Sequence, residues 1–284
     1  MLMGELRIVV LAKQVPDTRN VGKDAMKADG TVNRGALPAI FNPEDLNALE
    51  QALQIRDRVP GASVTLLTMG PPRAAEIIRE GLYRGADSGV LLTDRAFAGS
   101  DTLATSYALA CAVRKLNPHI ILSGRQAIDG DTAQVGPQVA QKMGWPQITY
   151  VEEIQEVDGQ SITALRRLER GVEVVRAKLP VLLTVNASAA PCRPRHAKLL
   201  MQWKHAVAPS EGAGDDRHAS VCIQEWSAAD LGADAVQLGL SGSPTKVKVI
   251  ENVVFQVKEA KRFEASEASV EALVQELMAN HTIG

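Results

Sequence analysis

Residues 119–137, HIILSGRQAIDGDTAQVGP, decide the reading of this chain. His119 to Leu122 is a short apolar run of the length of a buried strand. It stops at Ser123-Gly124 and gives way to a loop with glycines at 124, 130 and 136. Asp131 then precedes Thr132-Ala133-Gln134, an Asp-x-x-Gln spacing that predicts a capping box at a helix start. Pro137 leaves two registers open. The helix starts at Thr132 with Pro137 in its second turn, or Gly136 is the cap and Pro137 takes the favoured first position. Either way a strand feeds a Gly-rich turn and a helix N-terminus, which gathers unpaired backbone N–H groups and favours negative charge. The small residues Gly130, Thr132, Ala133 and Gly136 leave room for a phosphate against the backbone. An ordinary strand-to-helix loop, with glycines for turning, is the other reading of the same spacing.

Outward from that stretch the chain alternates. Leu6 to Ala12 (LRIVVLA) is a continuous β-rich run, the pattern of a strand buried on both faces. It ends in Lys13-Gln14-Val15-Pro16-Asp17-Thr18 with no Gly-x-Gly-x-x-Gly, so the dinucleotide fingerprint of a classical NAD dehydrogenase is missing. Residues 19–40 are irregular, with a turn at Asp29-Gly30. Asn42-Pro43-Glu44-Asp45 announces a helix by cap, first-position proline and first-turn acids; Leu46, Leu49 and Leu53 face its sheet. Ser63 to Met69 is a strand, and Gly70-Pro71-Pro72 opens a helix with Ala74, Ile77, Ile78 and Leu82 on one stripe, ending at Gly85. Val90 to Leu92 is the next strand. Ser100 or Asp101 caps a helix running to about Leu116, and a later helix runs to Met143. Strands and helices recur at about 25–30-residue intervals, the pattern of a parallel α/β sheet. In such sheets ligands lie beyond the carboxyl ends of the strands. Segments 12–18, 68–70 and 123–136 all follow strand ends and therefore converge on one crevice.

Beyond Gly144-Trp145-Pro146 the period changes to hairpins. Ile148–Val157, Ser161–Leu168 and Val172–Ala177 are expected strands with turns at Asp158-Gly159 and Glu169-Arg170-Gly171, and 180–186 is a further sheet strand. Residues 187–206 combine prolines, basic residues and Leu199-Leu200-Met201, a basic loop leading into a short helix. The first domain is expected to end at 206. Residues 207–219 have a linker composition, followed by a strand-like 247–257 and a helix from Ala268 to Asn280. That helix carries Val270, Leu273, Val274, Leu277 and Met278 on one face. So short a tail makes no strong core alone, so it is expected to wrap a second polypeptide.

The 284 residues suffice for one large domain or one with an appendage. Hydrophobic residues at 45% support a normal core, and a net charge of −2 argues against nucleic-acid affinity. No apolar stretch approaches the ~20 residues of a membrane span, and MLMGELRIVVLAKQ has no signal-peptide pattern. The cysteines at 111, 192 and 222 lack metal-ligand spacing and suit a reduced, cytoplasmic compartment. No metal site and no catalytic constellation is expected. Aromatic residues are only 4%, too few to wall a planar ring ligand readily from this chain alone, which favours a site shared with a partner.

QAIDGDTAQVGP, with GSDTLATS at 99–106, LAKQVPDT at 11–18 and Gly-Ser-Pro-Thr at 242–245, resembles the β subunit of electron transfer flavoproteins. The likeness spans nearly the whole chain. It implies a doubly wound, mostly parallel α/β sheet of the adenine nucleotide alpha hydrolase-like kind, an added antiparallel hairpin region, and an extended C-terminal arm around an α subunit. It also implies an electron carrier that holds a nucleotide and shapes a flavin's surroundings. Carried over residue by residue, the nucleotide contacts are Leu11, Asn42, Met69, Ser123, Ala127, Gly130, Gln134 and Val135, with Asp131 and Thr132 nearby. Leu199 corresponds to the leucine that docks an acyl-CoA dehydrogenase. A membrane quinone reductase is a further family electron acceptor.

The family holds AMP in this site in its common type and a second FAD, reduced by NADH, in its bifurcating type. Gly130, Ala133 and Val135 stand where AMP-type members carry acidic and polar residues, and TMGPP at 68–72 and TDRAF at 93–97 also resemble the FAD-holding type. An acid absent at Gly130 removes repulsion against a diphosphate. Arg125 either offsets phosphate charge or serves an ion pair. Two other classes stay open. A hydrolysing or adenylating pyrophosphatase-like enzyme would need a Ser-Gly-Gly-x-Asp loop where this chain has Lys13–Asp17. A sensor resembling universal stress proteins should be stable without a partner.

Overall fold

The computed structural model describes residues 5–17, 38–211, 223–245 and 261–283. The expected turn at 29–30, most of the 207–219 linker, Cys222 and the whole strand-like 247–257 run lie outside them. In chain order the first half comprises β1 (Arg7–Leu11), β2 (Gln14–Pro16), β3 (Ala39–Phe41), α1 (Pro43–Arg58), β4 (Ser63–Met69), α2 (Ala75–Arg84), β5 (Ser88–Leu92), α3 (Thr102–Leu116), β6 (Ile120–Gly124) and α4 (Val135–Met143). The second half adds β7 (Gln147–Val157), β8 (Ser161–Leu168), β9 (Gly171–Lys178), β10 (Val181–Val185), α5 (Ala197–Trp203), β11 (Ile223–Trp226) and α6 (Glu267–Ala279).

A nine-stranded sheet runs β11-β5-β4-β1-β6-β10-β7-β8-β9, and β2 and β3 form a separate antiparallel pair. Neighbours from β11 to β7 are parallel, and β7-β8-β9 is an antiparallel extension. From β1 the chain builds outward to β4 and β5, then returns to build β6 and β10 on the other side. The order therefore reverses between β1 and β6, where a crevice opens beyond the carboxyl ends.

The apolar strands alternate between two layers, as a period of two requires. Ile8 and Val10 of β1 join the core under α1 and α2, with Ile120 and Leu122 of β6. Val9, Leu11 and Ile121 instead join the core under α3 and α4. The fold is thus doubly wound. On α1, Ala48, Leu49, Ala52 and Leu53 are fully buried at helical spacing. Its sequence-expected stripe holds at Leu49 and Leu53. Asp101 caps α3 by accepting from the N–H groups of Leu103 (2.9 Å) and Ala104 (3.0 Å). Gly85 closes α2 at φ 117°, a left-handed position that suits glycine.

Three sequence expectations change. The capping box at 131–134 does not form: Asp131 is left-handed at φ 49°, and α4 starts at Val135 after Gln134. Pro137 is therefore the third helical residue, where its missing N–H has no intrahelical acceptor to lose. Asn42 precedes α1 but makes no side-chain cap bond, because its amide is committed to another segment. The boundary expected at 206 is not where the first compact unit ends. β11 pairs with β5 as a parallel edge strand, and that unit reaches Lys248. A four-residue strand added after a linker carries too little periodicity to be seen in sequence.

The second unit contributes α6, which has no buried residue; Val270, Val274 and Met278 are 56%, 40% and 56% exposed. Ser266 caps it by accepting from Ser269 N–H at 3.3 Å. Among the described residues no helix is long and apolar enough to cross a membrane.

Leu53 tests the main core. Truncating it to alanine leaves a cavity between α1 and the sheet, and we expect a loss of about 2–5 kcal/mol in denaturant unfolding with little change in slope.

Candidate functional site

A cleft of about 390 Å³ opens at the order reversal, bordered by the ends of β1, β4 and β6, the first turn of α3 and the segment leading into α4. Of the residues singled out in sequence, Leu11, Met69, Ser123, Ala127, Gly130, Asp131, Thr132, Gln134 and Val135 border it, as does Arg125. Asn42 does not. It is fully buried beneath the loop, where its Nδ2 donates to the Gln126 carbonyl (2.9 Å) and its Oδ1 accepts from Ile128 N–H (3.2 Å).

The start of α1 is a clasp on the loop after β6. Asp45 Oδ2 accepts from Lys13 N–H at 2.8 Å, just past β1, and Oδ1 accepts from Gly124 N–H at 2.9 Å, the end of β6. One carboxylate thus ties together the two strand ends that flank the crevice. Glu44 Oε2 accepts from Gln126 N–H at 2.9 Å, and Glu44 Oε1 meets Arg125 Nη2 at 3.3 Å. Gly124 has to be glycine for this approach, since a Cβ there would stand 2.5 Å from Asp45 Oδ1 and 2.8 Å from its backbone nitrogen. Burial, with a smaller push from the Glu44 charge, raises the Asp45 carboxyl to about 7, against the lowering effect of the Lys13 and Gly124 N–H groups and the Asn42 amide.

The segment into α4 presents the opposite polarity. Asp131 (φ 49°) and Ala133 (φ 52°) are left-handed, and Gln134 that follows Ala133 is right-handed. That alternation turns successive N–H groups toward one point, forming an anion nest. The N–H groups of Thr132, Ala133, Gln134, Val135 and Gly136 have no acceptor among the described residues. Ser123 Oγ, buried and without a hydrogen-bond partner, borders the same cleft. Gly136 fits against it closely: a Cβ would come 2.9 Å from Ser123 Oγ. At Gly130 an added Cβ would meet nothing within 4 Å, so that position is open space.

The remaining charges around the cleft are paired. Lys13 Nζ holds Asp129 at 2.7 Å, and Gln126 Nε2 donates to Asp131 Oδ1 at 2.9 Å. Thr102 donates to Gln134 Oε1 at 2.9 Å, linking α3 to the segment. At the α3 end Asp101 N–H donates to Ser243 Oγ (2.8 Å), and Thr245 N–H donates to Asp101 Oδ2 (3.0 Å). The 242–245 segment is thereby fixed at the rim. No group of three or more metal-ligating side chains occurs among the described residues.

Asp45, Glu44 and Asp101 were not legible as site residues, whereas Lys13 lies in the 12–18 segment expected at the crevice. First-turn acids after Asn-Pro carry a helix-start signal that fully explains them locally, and nothing in the sequence shows what they grip. Leu199 lies on α5, half-buried, while Met201 beside it is 61% exposed. Arg193 pairs with Glu50 (3.0 Å) and Asp57 (2.7 Å), and Arg195 pairs with Glu80, so the basic residues of this loop fasten it to α1 and α2.

Residues 29–231 match the electron transfer flavoprotein domain. The chain belongs to the electron transfer flavoprotein β-subunit family. It is 48% identical over 243 residues to the electron transfer flavoprotein subunit beta of Clostridium acetobutylicum, covering 86% of each chain. It is 42% identical to protein FixA of Bradyrhizobium diazoefficiens over 282 residues, 96% of this chain and 91% of that one. It is 44% identical over 243 residues to the caffeyl-CoA reductase-Etf complex subunit CarD of Acetobacterium woodii, covering 85% and 86%. As a member of this family the chain functions in electron transfer with an α subunit.

Asp45 gives the site a pH signature. The folded chain keeps this proton through a range in which the unfolded chain has released it. Its contribution to stability is therefore full below about pH 4, is lost as pH rises toward 7, and is flat above. We expect the stability difference between wild type and Asp45→Asn, from denaturant titrations, to shrink by a few kcal/mol across that window. A difference independent of pH would show the carboxyl charged throughout.

Proposed function

We propose that the cleft is the nucleotide site of a two-subunit electron carrier, and that its guest is FAD of the bifurcating type. The observation that carries this is the row of unpaired N–H groups at 132–136 facing the same cleft as the partnerless Ser123 hydroxyl. Such a nest takes the phosphates of an adenine nucleotide through backbone donors, which is why side-chain identity there is so plain. Asp129 and Asp131 flank it, but Lys13 and Gln126 occupy their oxygens, which lowers repulsion against a diphosphate. Gly130 adds none. Leu11 and Met69 supply apolar surface, and Thr102, through Gln134, keeps the nest in register with α3.

FAD here would accept a hydride from NADH and release the electrons along two routes. The chain's own part is to bind and orient the nucleotide, because no general acid or nucleophile is assigned at the cleft. A relative is named as a subunit of a caffeyl-CoA reductase-Etf complex, which supports an electron route to a CoA-ester reductase. The α subunit carries the electron-transferring FAD and is gripped by the C-terminal arm, whose α6 presents an apolar face. An acyl-CoA dehydrogenase or similar flavin dehydrogenase docks through Leu199 on the loop fastened to α1 and α2. A membrane quinone reductase is the alternative acceptor, met from the cytoplasm.

Denaturing the co-purified heterodimer and quantifying released nucleotides tests the cofactor. Two FAD per heterodimer are expected; one FAD with one AMP would make this a conventional carrier. A colourless, monodisperse homodimer that hydrolyses ATP would replace the carrier reading altogether. Docking is tested with Leu199→Ala. Removing one leucine from an interface costs about 1.5–3 kcal/mol, so the KM for the carrier in dehydrogenase turnover should rise roughly one to two decades. An unchanged KM would remove Leu199 from the contact.

A further inference from the structure

Of the acids bordering the cleft, Asp45 is the buried one, and no ion pair neutralises it among the described residues. Its oxygens accept from the main-chain N–H groups of Lys13 and Gly124 and from the Asn42 side-chain amide. The two nearest cations are engaged elsewhere: the Lys13 ammonium with Asp129, and the Arg125 guanidinium with Glu44. The other elements packed on α1 offer no relief. β4 and β10 bring no charged side chain, β7 meets α1 further along at Gln51 and Arg58, and Asp17, also buried, lies beyond β2. Asp45 is only 6% exposed, so solvent screens it weakly.

A phosphate-bearing guest entering this cleft shares it with that buried charge, and the cations shown beside Asp45 are already paired. Opening a Lys13 or Arg125 pair would strand Asp129 or Glu44. Moving Asp45 away would leave the Lys13 and Gly124 N–H groups without their acceptor. Taking a proton from water discharges Asp45 without moving it, and the carboxyl keeps part of its acceptor capacity for these donors.

We propose that Asp45 is a positioning residue that couples nucleotide binding to uptake of one proton, keeping its hold on the Lys13 and Gly124 amides while its charge is discharged as the anion enters. The carboxyl begins near neutrality, pushed there by burial, so a modest further push completes the change within the working pH range. This rests on the nucleotide reading above and adds a regulation of that site. Nucleotide affinity then falls as pH rises, and whatever lowers local pH tightens the cofactor.

The test is calorimetric titration of AMP, and separately FAD, into the nucleotide-depleted heterodimer in two buffers of different ionisation enthalpy. Between pH 7.5 and 8.5 the phosphates of both probes hold constant charge, their own last proton leaving near pH 6. We expect net uptake of a fraction of a proton up to one, and an apparent Kd that rises by up to about tenfold per pH unit in the wild type. Asp45→Asn should take up none and vary less than about twofold. Binding without uptake, or equal uptake by the variant, overturns the coupling and leaves the nucleotide reading intact; absence of binding by wild type overturns both. Should Asp45→Asn fail to assemble, the wild type decides alone. A new carboxylic-acid C=O stretch on nucleotide addition, shifted by isotope-labelled aspartate, is the expected signal, and its absence overturns the proposal.

Discussion

The clasp at the start of α1 is the constraint on which the molecule's geometry depends. A parallel sheet whose strand order reverses sends the chain beyond two neighbouring strands to opposite faces, and the β1–β6 ladder ends at Leu11 and Ser123, just short of the crevice this opens. Here Asp45 spans it, taking the last amide beyond β1 and the last amide of β6 onto one carboxylate. Glu44 and Asn42 extend the grip to residues 126 and 128, so the first turn of α1 dictates the course of the segment that leads to α4. The cost is a buried acid, which the two main-chain donors only partly offset.

From that fixed edge the cleft acquires two walls of different character. On one side are strand ends and α1, with their acids. On the other is a nest of amides at 132–136, its conformation set by two left-handed residues that are not glycine. Left-handed Asp131 and Ala133 are locally unfavourable. They persist because Gln126 holds the Asp131 carboxylate and Thr102 holds Gln134. Both backbone strain and unpaired donors are concentrated where the cleft opens, the usual place for a fold to carry such costs. The same rim anchors Ser243 and Thr245 on Asp101.

Much of this fold was legible because its strands are buried on both faces. LRIVVL, SVTLLTM and HIILS are continuous apolar runs, and α1, α2 and α3 declare themselves by stripe and cap. The hairpins β7 to β9 were equally plain from alternation and turn residues. What failed was local chemistry with two possible uses. Asp-x-x-Gln at 131–134 matches a capping box, but the Asp131 side chain bonds forward from Gln126 and leaves the helix to begin one turn later. Asn42 matches a cap, yet its amide is spent on a loop more than eighty residues away. β11 was invisible because four residues do not make a period; only the exposed edge of β5 gives them a partner.

The sequence alone determined the class of fold, the strand ends that face the cleft, the chain's family and the plain, glycine-spaced character of residues 123–136. These follow from burial and backbone preference, which act over a few neighbouring residues. Tertiary structure alone decided that Asp45 bridges two strands, that Asn42 and Glu44 hold the loop, that Ser123 points its hydroxyl at α4 without a partner, and that β11 closes the sheet edge. Each of these is a pairing between residues far apart in the chain. A side chain's hydrogen-bonding capacity is written in its identity, but its partner is chosen only when the sheet brings distant backbone within about 3 Å.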